Sequence, residues 1–249
     1  VPEEGGDELA KLGASFNHMA EELEKAEQRR RDFIANISHE LKTPMTNISG
    51  YIDGILDGVV PEEKKEQYLQ VVSSEVKRLS RLVTHMLEVS RMEADSELAL
   101  NCQVFDLCES TRLTVLGLEK KINDRNLDIE ADFDEGIKVL AEKDGITRVI
   151  YNLVDNAIKY SDEGTTIKIS IKKQGKKALF CVTDSGKTIP PDEINLIFER
   201  FHKTDRSRKS EGLGLGLYLV KSIIGRHGED VWCESAAGVT SMYFTLPLA

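Results

Sequence analysis

A chain of 249 residues with 43 acidic and 33 basic side chains carries a formal net charge of -10, which a nucleic-acid duplex would repel. That length exceeds the about 100 to 150 residues of a common single domain, so two folded parts are expected. Hydrophobic residues at 40% and charged residues at 31%, with no run near the roughly 18 apolar residues of a spanning helix, describe a soluble, helix-rich protein.

The start, Val1-Pro2-Glu3-Glu4-Gly5-Gly6, lacks the basic-then-apolar order of a signal peptide. From residue 9, apolar or small residues recur at Leu9, Leu12, Phe16, Met19, Leu23, Ala26, Phe33 and Ile37, in steps of three and four broken once at Arg30. That heptad seam continues through Leu41, Met45, Ile48, Ile52 and Ile55 with a changed step near Pro44, and predicts one helix over 8–57 with a local irregularity. Gly58 is a stop signal and Pro61 a start signal. Leu69, Val72, Val76, Leu79, Val83 and Met86 then repeat the alternation, which makes an antiparallel helical hairpin. Two helices cannot cover both apolar stripes, so a second copy completing a four-helix bundle is expected, and with it a homodimer.

Past about residue 100 the period changes to short β-branched runs mixed with helices. Strands are expected at 127–133, 138–141, 166–172, 178–183, 230–234 and 241–246, and helices at 107–122, 143–160, 192–198 and 215–226. That order predicts an α+β sandwich, helices covering one face of a mixed sheet. The stretch from Phe201 to Leu213 is polar, basic and glycine-ended, so it reads as a mobile loop. Cys102, Cys108, Cys181 and Cys233 show no metal-ligand spacing and read as reduced packing residues in a reducing cytosol.

The first helix contains Ile37-Ser38-His39-Glu40-Leu41-Lys42-Thr43-Pro44. With Ile37 on the seam, His39 lies about 200° around the helix and points to solvent. Glu40 is adjacent, and Thr43 lies one turn on, on the face of His39. Pro44 has no N–H for the carbonyl of Glu40, which weakens the helix there and places a bend beside the histidine. Taken alone, such a histidine has the simpler reading of an ordinary surface residue; the C-terminal half decides otherwise.

There, Asn152, Asn156 and Lys159 share one helix face at spacings of four and three. Two amide oxygens and an ammonium suit a magnesium ion and phosphate oxygens, though a plain polar face would look the same. Asp184-Ser185-Gly186 puts a carboxylate at a strand end, an acceptor suited to an exocyclic amine such as that of adenine. Gly212-Leu213-Gly214-Leu215-Gly216-Leu217 leads into a helix and offers N–H groups and a positive helix end to phosphates.

In this order the blocks resemble the sensor histidine kinases of two-component signalling, over essentially the whole chain. Phe33 to Thr46 is similar to their phosphoacceptor box and Asn152 to Ser161 to their asparagine box. Asp184 to Ile189 is similar to the first glycine box, Ile197 to Phe201 to the phenylalanine box, and Gly212 to Leu217 to the second glycine box. Residues 7–25, with Phe16-Asn17-His18-Met19-Ala20, resemble the end of a HAMP linker, which implies a membrane-bound parent and a fragment on the cytoplasmic side of the membrane.

The resemblance implies a linker end at 1–25, a dimerisation and phosphotransfer hairpin at 26–97, and an ATP-binding domain at 98–249. It implies ATP and Mg2+ as cofactors, a response regulator receiver domain as partner, no nucleic acid, and membrane contact only through segments outside this sequence. His39 would be the nucleophile and Glu40 its proton acceptor, with Thr43 positioning water for dephosphorylation of the regulator. Asn156 would hold magnesium, with Asn152 in support. Lys159, Gly186, Lys203, Gly212, Gly214 and Gly216 would hold the phosphates or shape the pocket, Tyr160 would pack on adenine, and Asp184 would take its amine.

The chain departs from the pattern at Thr188, where a second glycine is usual, and at Glu211, Leu213, Glu229 and Thr240. Thr188 adds bulk and restricts positive φ at the pocket wall, so weakened ATP binding is the consequence to look for. Two alternatives follow: a kinase impaired in nucleotide binding that works mainly as a phosphatase or dimeric scaffold, and a chaperone or mismatch-repair ATPase on the same fold. Free phosphate release would mark the second, and the upstream histidine hairpin argues against it.

Overall fold

The first helix, α1 (Glu8–Leu56), runs unbroken through Pro44 in this computed structural model, which describes residues 8–94, 100–202 and 214–249. Pro44 is buried, so the ring absent an N–H is packed away although the carbonyl of Glu40 loses its helical partner. Gly58, at φ 70°, ends the helix, and the N–H groups of Val59 and Val60 return to the Gly54 carbonyl, each at 3.1 Å. Val60 is buried against Gly54, and Pro61 starts α2 (Glu62–Ala94), whose first-turn Glu62 and Glu63 complement the positive helix end. Tyr51 and Tyr68 meet edge to face at 5.3 Å across the hairpin. The seam itself stays open in one chain: Leu12, Phe16, Met19 and Leu23 are exposed, as are Leu69 and Val76.

The chain forms two compact units, Val1–Thr84 and His85–Ala249. In the second, a short strand not anticipated from sequence, β1 (Gln103–Asp106), precedes a helix. The helix expected over 107–122 is two, α3 (Leu107–Leu116) and α4 (Glu119–Asp124). They part at Gly117, whose N–H turns back to Leu113 at 3.1 Å, a glycine stop inside an otherwise apolar pattern. Asp106 caps α3 by accepting the Glu109 N–H at 2.9 Å.

Next come β2 (Asp128–Phe133), β3 (Lys138–Ala141), α5 (Lys143–Tyr160), β4 (Thr166–Gln174) and β5 (Lys177–Ser185). The helix expected at 192–198 is a turn closed by a 3-10 helix, Leu196–Phe198. Ile197 and Phe198 are both buried there and fix the turn to the core. α6 (Gly216–Arg226), β6 (Val231–Ala236) and β7 (Val239–Pro247) complete the unit.

The mixed five-stranded sheet has the order β2-β4-β5-β7-β6, with β2 parallel to β4 and every other pair antiparallel. β1 and β3 form a separate antiparallel pair. Strand alternation buries Ile167, Ile169 and Ile171 of β4, Phe180 and Val182 of β5, and Phe244 and Leu246 of β7 on one face. α5 and α6 cover that face with Ile146, Ile150, Leu153, Ile223 and Ile224, and Phe180 stacks on Phe244 at 4.6 Å. His227, at the end of α6, ties the two helices together. Its Nδ1 bonds the Ile223 carbonyl at 2.8 Å and its Nε2 accepts the Glu142 N–H at 3.0 Å, as the neutral ring protonated on Nδ1 requires. All four cysteines are free; Cys108, Cys181 and Cys233 are buried, whereas Cys102 is exposed and does not pack as expected.

Candidate functional site

On α1, the periodicity that buries Ile37 and Leu41 partly leaves His39, Lys42 and Thr43 exposed. Thr43 donates its hydroxyl to the His39 carbonyl at 3.2 Å, so it lies one turn beyond the imidazole and bonded to its backbone. Glu40 is half-buried and turns to the second helix, where the Arg78 guanidinium reaches its Oε2 at 3.5 Å.

In the other unit, α5 buries Ile146, Val149, Ile150, Leu153 and Val154 and leaves Asn152, Asn156 and Lys159 half-buried along one edge. Asn152 donates to the Arg148 carbonyl at 2.9 Å, and its Oδ1 occupies the space beside Gly216, where a Cβ would sit 2.8 Å away. A side chain at the start of α6 would therefore push the Asn152 amide aside. Lys159 lies 4.9 Å over the ring of Tyr160, which is exposed. The last turn of α5 is held from outside by Arg125, which donates to the carbonyls of Ile158 and Ser161, each at 2.7 Å, and to that of Lys159. Sequence reasoning missed Arg125, because a surface arginine near a turn carries no local signal of three carbonyls distant in sequence.

Asp184, near the end of β5, is buried, and burial pushes its carboxyl up from the ordinary 3.8 to about 7. Among the described residues no donor reaches it. Two residues on, Gly186 bridges to Ser161 and sends its N–H to the Gly238 carbonyl at 2.8 Å. A Cβ on Gly186 would stand 2.2 Å from the Tyr160 carbonyl, so only glycine lets the strand end and the end of α5 meet. Thr188 is not the strained intruder its sequence position implied. It is absent from the positive-φ residues, and its hydroxyl accepts the Gly238 N–H at 2.7 Å while the next N–H, of Ile189, donates to Ser235 at 2.8 Å. Thr240 lies opposite Asp184 and bonds Ser235 across the β6–β7 pair at 2.8 Å, and Glu229 pairs with Lys177 at 2.8 Å.

Gly214 has φ 66°, and a Cβ there would meet the His202 carbonyl at 2.7 Å; its own carbonyl accepts the Phe201 N–H at 3.0 Å. Lys203 and Gly212, with Glu211 and Leu213, lie outside the described residues. The structure thus brings Asn152 against Gly216, and the Tyr160 carbonyl against Gly186, two residues past Asp184. A buried acceptor lacking a donor fits a planar amine-bearing ring. Among the described residues no group of three His, Cys, Asp or Glu could hold a metal by itself. Asn156 suits magnesium instead, which takes few protein ligands and completes its shell with phosphate oxygens and water.

Family profiles match three successive stretches: the HAMP domain at residues 1–25, the His Kinase A (phospho-acceptor) domain at 29–95, and the histidine kinase-, DNA gyrase B-, and HSP90-like ATPase at 141–249. The solved catalytic domain of histidine kinase ThkA is 32% identical, with a TM-score of 0.55, over 59% of this chain and 96% of that one. The chain belongs to the two-component sensor histidine kinases. This sensor kinase is also 33% identical to sensor histidine kinase WalK of Bacillus subtilis, over 91% of its own length and 38% of WalK. It therefore spans well under half of that curated relative. Histidine kinase ThkA in complex with response regulator protein TrrA matches over 92% of the kinase and 66% of that chain, with TM-score 0.74 and 28% identity. Among the described residues of the kinase, no helix is long and apolar enough to cross a membrane.

Proposed function

We propose that this sensor kinase binds Mg-ATP in its C-terminal unit and transfers the terminal phosphoryl group to His39. The observation that carries the reading is Asp184, a buried carboxylate without a donor beside Gly186 and the end of α5. It supports an adenine subsite, because a largely desolvated carboxylate that meets no described protein donor is able to accept an amine from the base. Tyr160 offers its exposed ring to the base. Asn152, Asn156 and Lys159 line the edge where phosphates would lie, and Lys159 offsets their charge. Bound magnesium would neutralise phosphate oxygens and hold them in line, and Asn156 is the side chain to hold it. Gly214 and Gly216 keep the entry to α6 open to phosphate, with Lys203 and Gly212 assigned to the same loop.

At His39 an imidazole nitrogen forms the N–P bond as the P–O bond to the diphosphate breaks, and Glu40 takes up the ring proton. Residues 1–25 serve as linker end, 26–97 as the dimeric phosphotransfer hairpin and 98–249 as the catalytic domain. A receiver aspartate of a response regulator accepts the phosphoryl group next, as the ThkA–TrrA complex supports by likeness. The parent protein is anchored at the membrane with this part on its cytoplasmic side. Exposed Thr43, one turn past His39, supports a second output in which it positions water to dephosphorylate the regulator. Thr188, satisfied by Gly238, favours the kinase over a nucleotide-impaired scaffold.

The test is incubation of the purified chain with γ-labelled Mg-ATP, wild type beside His39→Gln. Wild type is expected to gain an acid-labile, alkali-stable label, and His39→Gln to gain none while still binding nucleotide. Wild type without label overturns the reading, and label on His39→Gln moves the acceptor elsewhere. Asn156→Ala is expected to lose magnesium-dependent nucleotide binding.

A further inference from the structure

Arg78, on α2, stands between two carboxylates. One guanidinium nitrogen reaches Oε2 of Glu40 on α1 at 3.5 Å, and another faces Oε2 of Glu75, one turn earlier on its own helix, at 3.6 Å. The Glu75 oxygen is buried and has no hydrogen bond, so Arg78 is the cation that offsets it. All of these side chains are less than a third exposed, so the contacts are only partly screened by water. Of the Glu40 oxygens, only Oε2 enters a described hydrogen bond, and that bond crosses the hairpin.

We infer that Arg78 is a positioning residue for phosphorylation of His39: it holds Glu40 by one oxygen and leaves the other to take the imidazole proton. The inference rests on Glu40 being that proton acceptor. A carboxylate on a helix surface otherwise samples several rotamers, and fixing one of them removes an entropy loss from the transfer step. The arginine does this from α2, so the second helix of the hairpin contributes to the chemistry of the first. Without Arg78, Glu40 would lose its anchor and face Glu75 without a cation between them, which drives the two carboxylates apart. Neither effect touches nucleotide, so ATP binding should not change.

The experiment measures kcat and KM for ATP of autophosphorylation in the full chain for wild type, Arg78→Gln, Arg78→Lys, Glu40→Gln and the double variant Arg78→Gln/Glu40→Gln. The expected result is a fall in kcat of about tenfold for Arg78→Gln, below the 100-fold or more typical of removing a proton-transfer group itself, with KM for ATP unchanged. Arg78→Lys should recover part of the rate, because it restores the charge without the fork. In the Glu40→Gln background, Arg78→Gln should cause no further loss. Wild-type kcat in Arg78→Gln, or an equal loss with and without Glu40, overturns the inference while leaving the kinase reading intact. A wild type that does not label His39 takes both down.

Discussion

Asp184 is a carboxyl at a strand end in the sequence and a buried, donor-free group in the fold, and the second fact gives it a pH dependence. Its ordinary value is 3.8 and its folded value about 7. The folded state therefore holds the proton more tightly: the stabilisation is complete below the unfolded value and is lost as pH rises through about 7. Across that gap the difference amounts to at most about 4 kcal/mol. Thermal melts of wild type and Asp184→Asn should show the wild type losing ground as pH rises from about 4 to about 7 and a constant gap above that, and curves parallel over the whole range would refute it. Nucleotide works in the opposite sense, because only the ionised carboxylate accepts the amine without competition from its own proton; affinity for ADP should weaken below about pH 7. Cysteine behaviour divides by the same physics. Burial, and after it the Asp184 carboxylate, pushes the Cys233 thiol up to about 12, and burial raises Cys108 and Cys181 as well. A thiol alkylating agent on the folded chain should modify Cys102 alone, the other three reacting only in denaturant.

At the scale of elements, the site depends on how the end of α5 is held. Gly186→Ala would drive a methyl into the Tyr160 carbonyl at 2.2 Å, and neither strand β5 nor helix α5 can retreat without disturbing the core. Loss of nucleotide binding, with destabilisation of at least about 1 to 3 kcal/mol, should appear in titration and melting of that variant. Arg125→Ala leaves three carbonyls at the end of α5 without their shared donor and should cost about 1.5 to 3 kcal/mol, measured by urea unfolding. The close approaches at Gly186, Gly214 and Gly216 fall on glycines that stand out locally, one after a strand-end aspartate and two leading into a helix. Arg125 and the Thr188–Gly238 bond were not legible, since each joins segments dozens of residues apart. The same limit explains the unforeseen β1, whose four residues gain strand geometry only by pairing with β3, whereas the break at Gly117 is a local glycine stop that the apolar pattern masked.

For the molecule as a whole, the stalk leaves Leu12 at 66% and Leu23 at 70% exposure, and Val76 at 50%, along stripes that one chain does not cover. Removing such stripes from water stabilises association by roughly 25 cal/mol per Å2. The chain should sediment as a dimer at micromolar concentration, and Val76→Glu should shift it toward monomer while leaving nucleotide binding in place; a monomeric wild type would refute this. Sequence alone determined the periods: a long seam with His39 turned off it, then alternating strands and an amphipathic helix carrying Asn152, Asn156 and Lys159. Those features are set by local spacing, which the chain carries within a few turns. Only the tertiary structure decided that Asp184 is buried, that Thr188 is a hydrogen-bonding partner, and that Arg78 and Arg125 reach across to Glu40 and to the end of α5. Burial and long-range contact depend on which distant segments come together, and no local pattern encodes that.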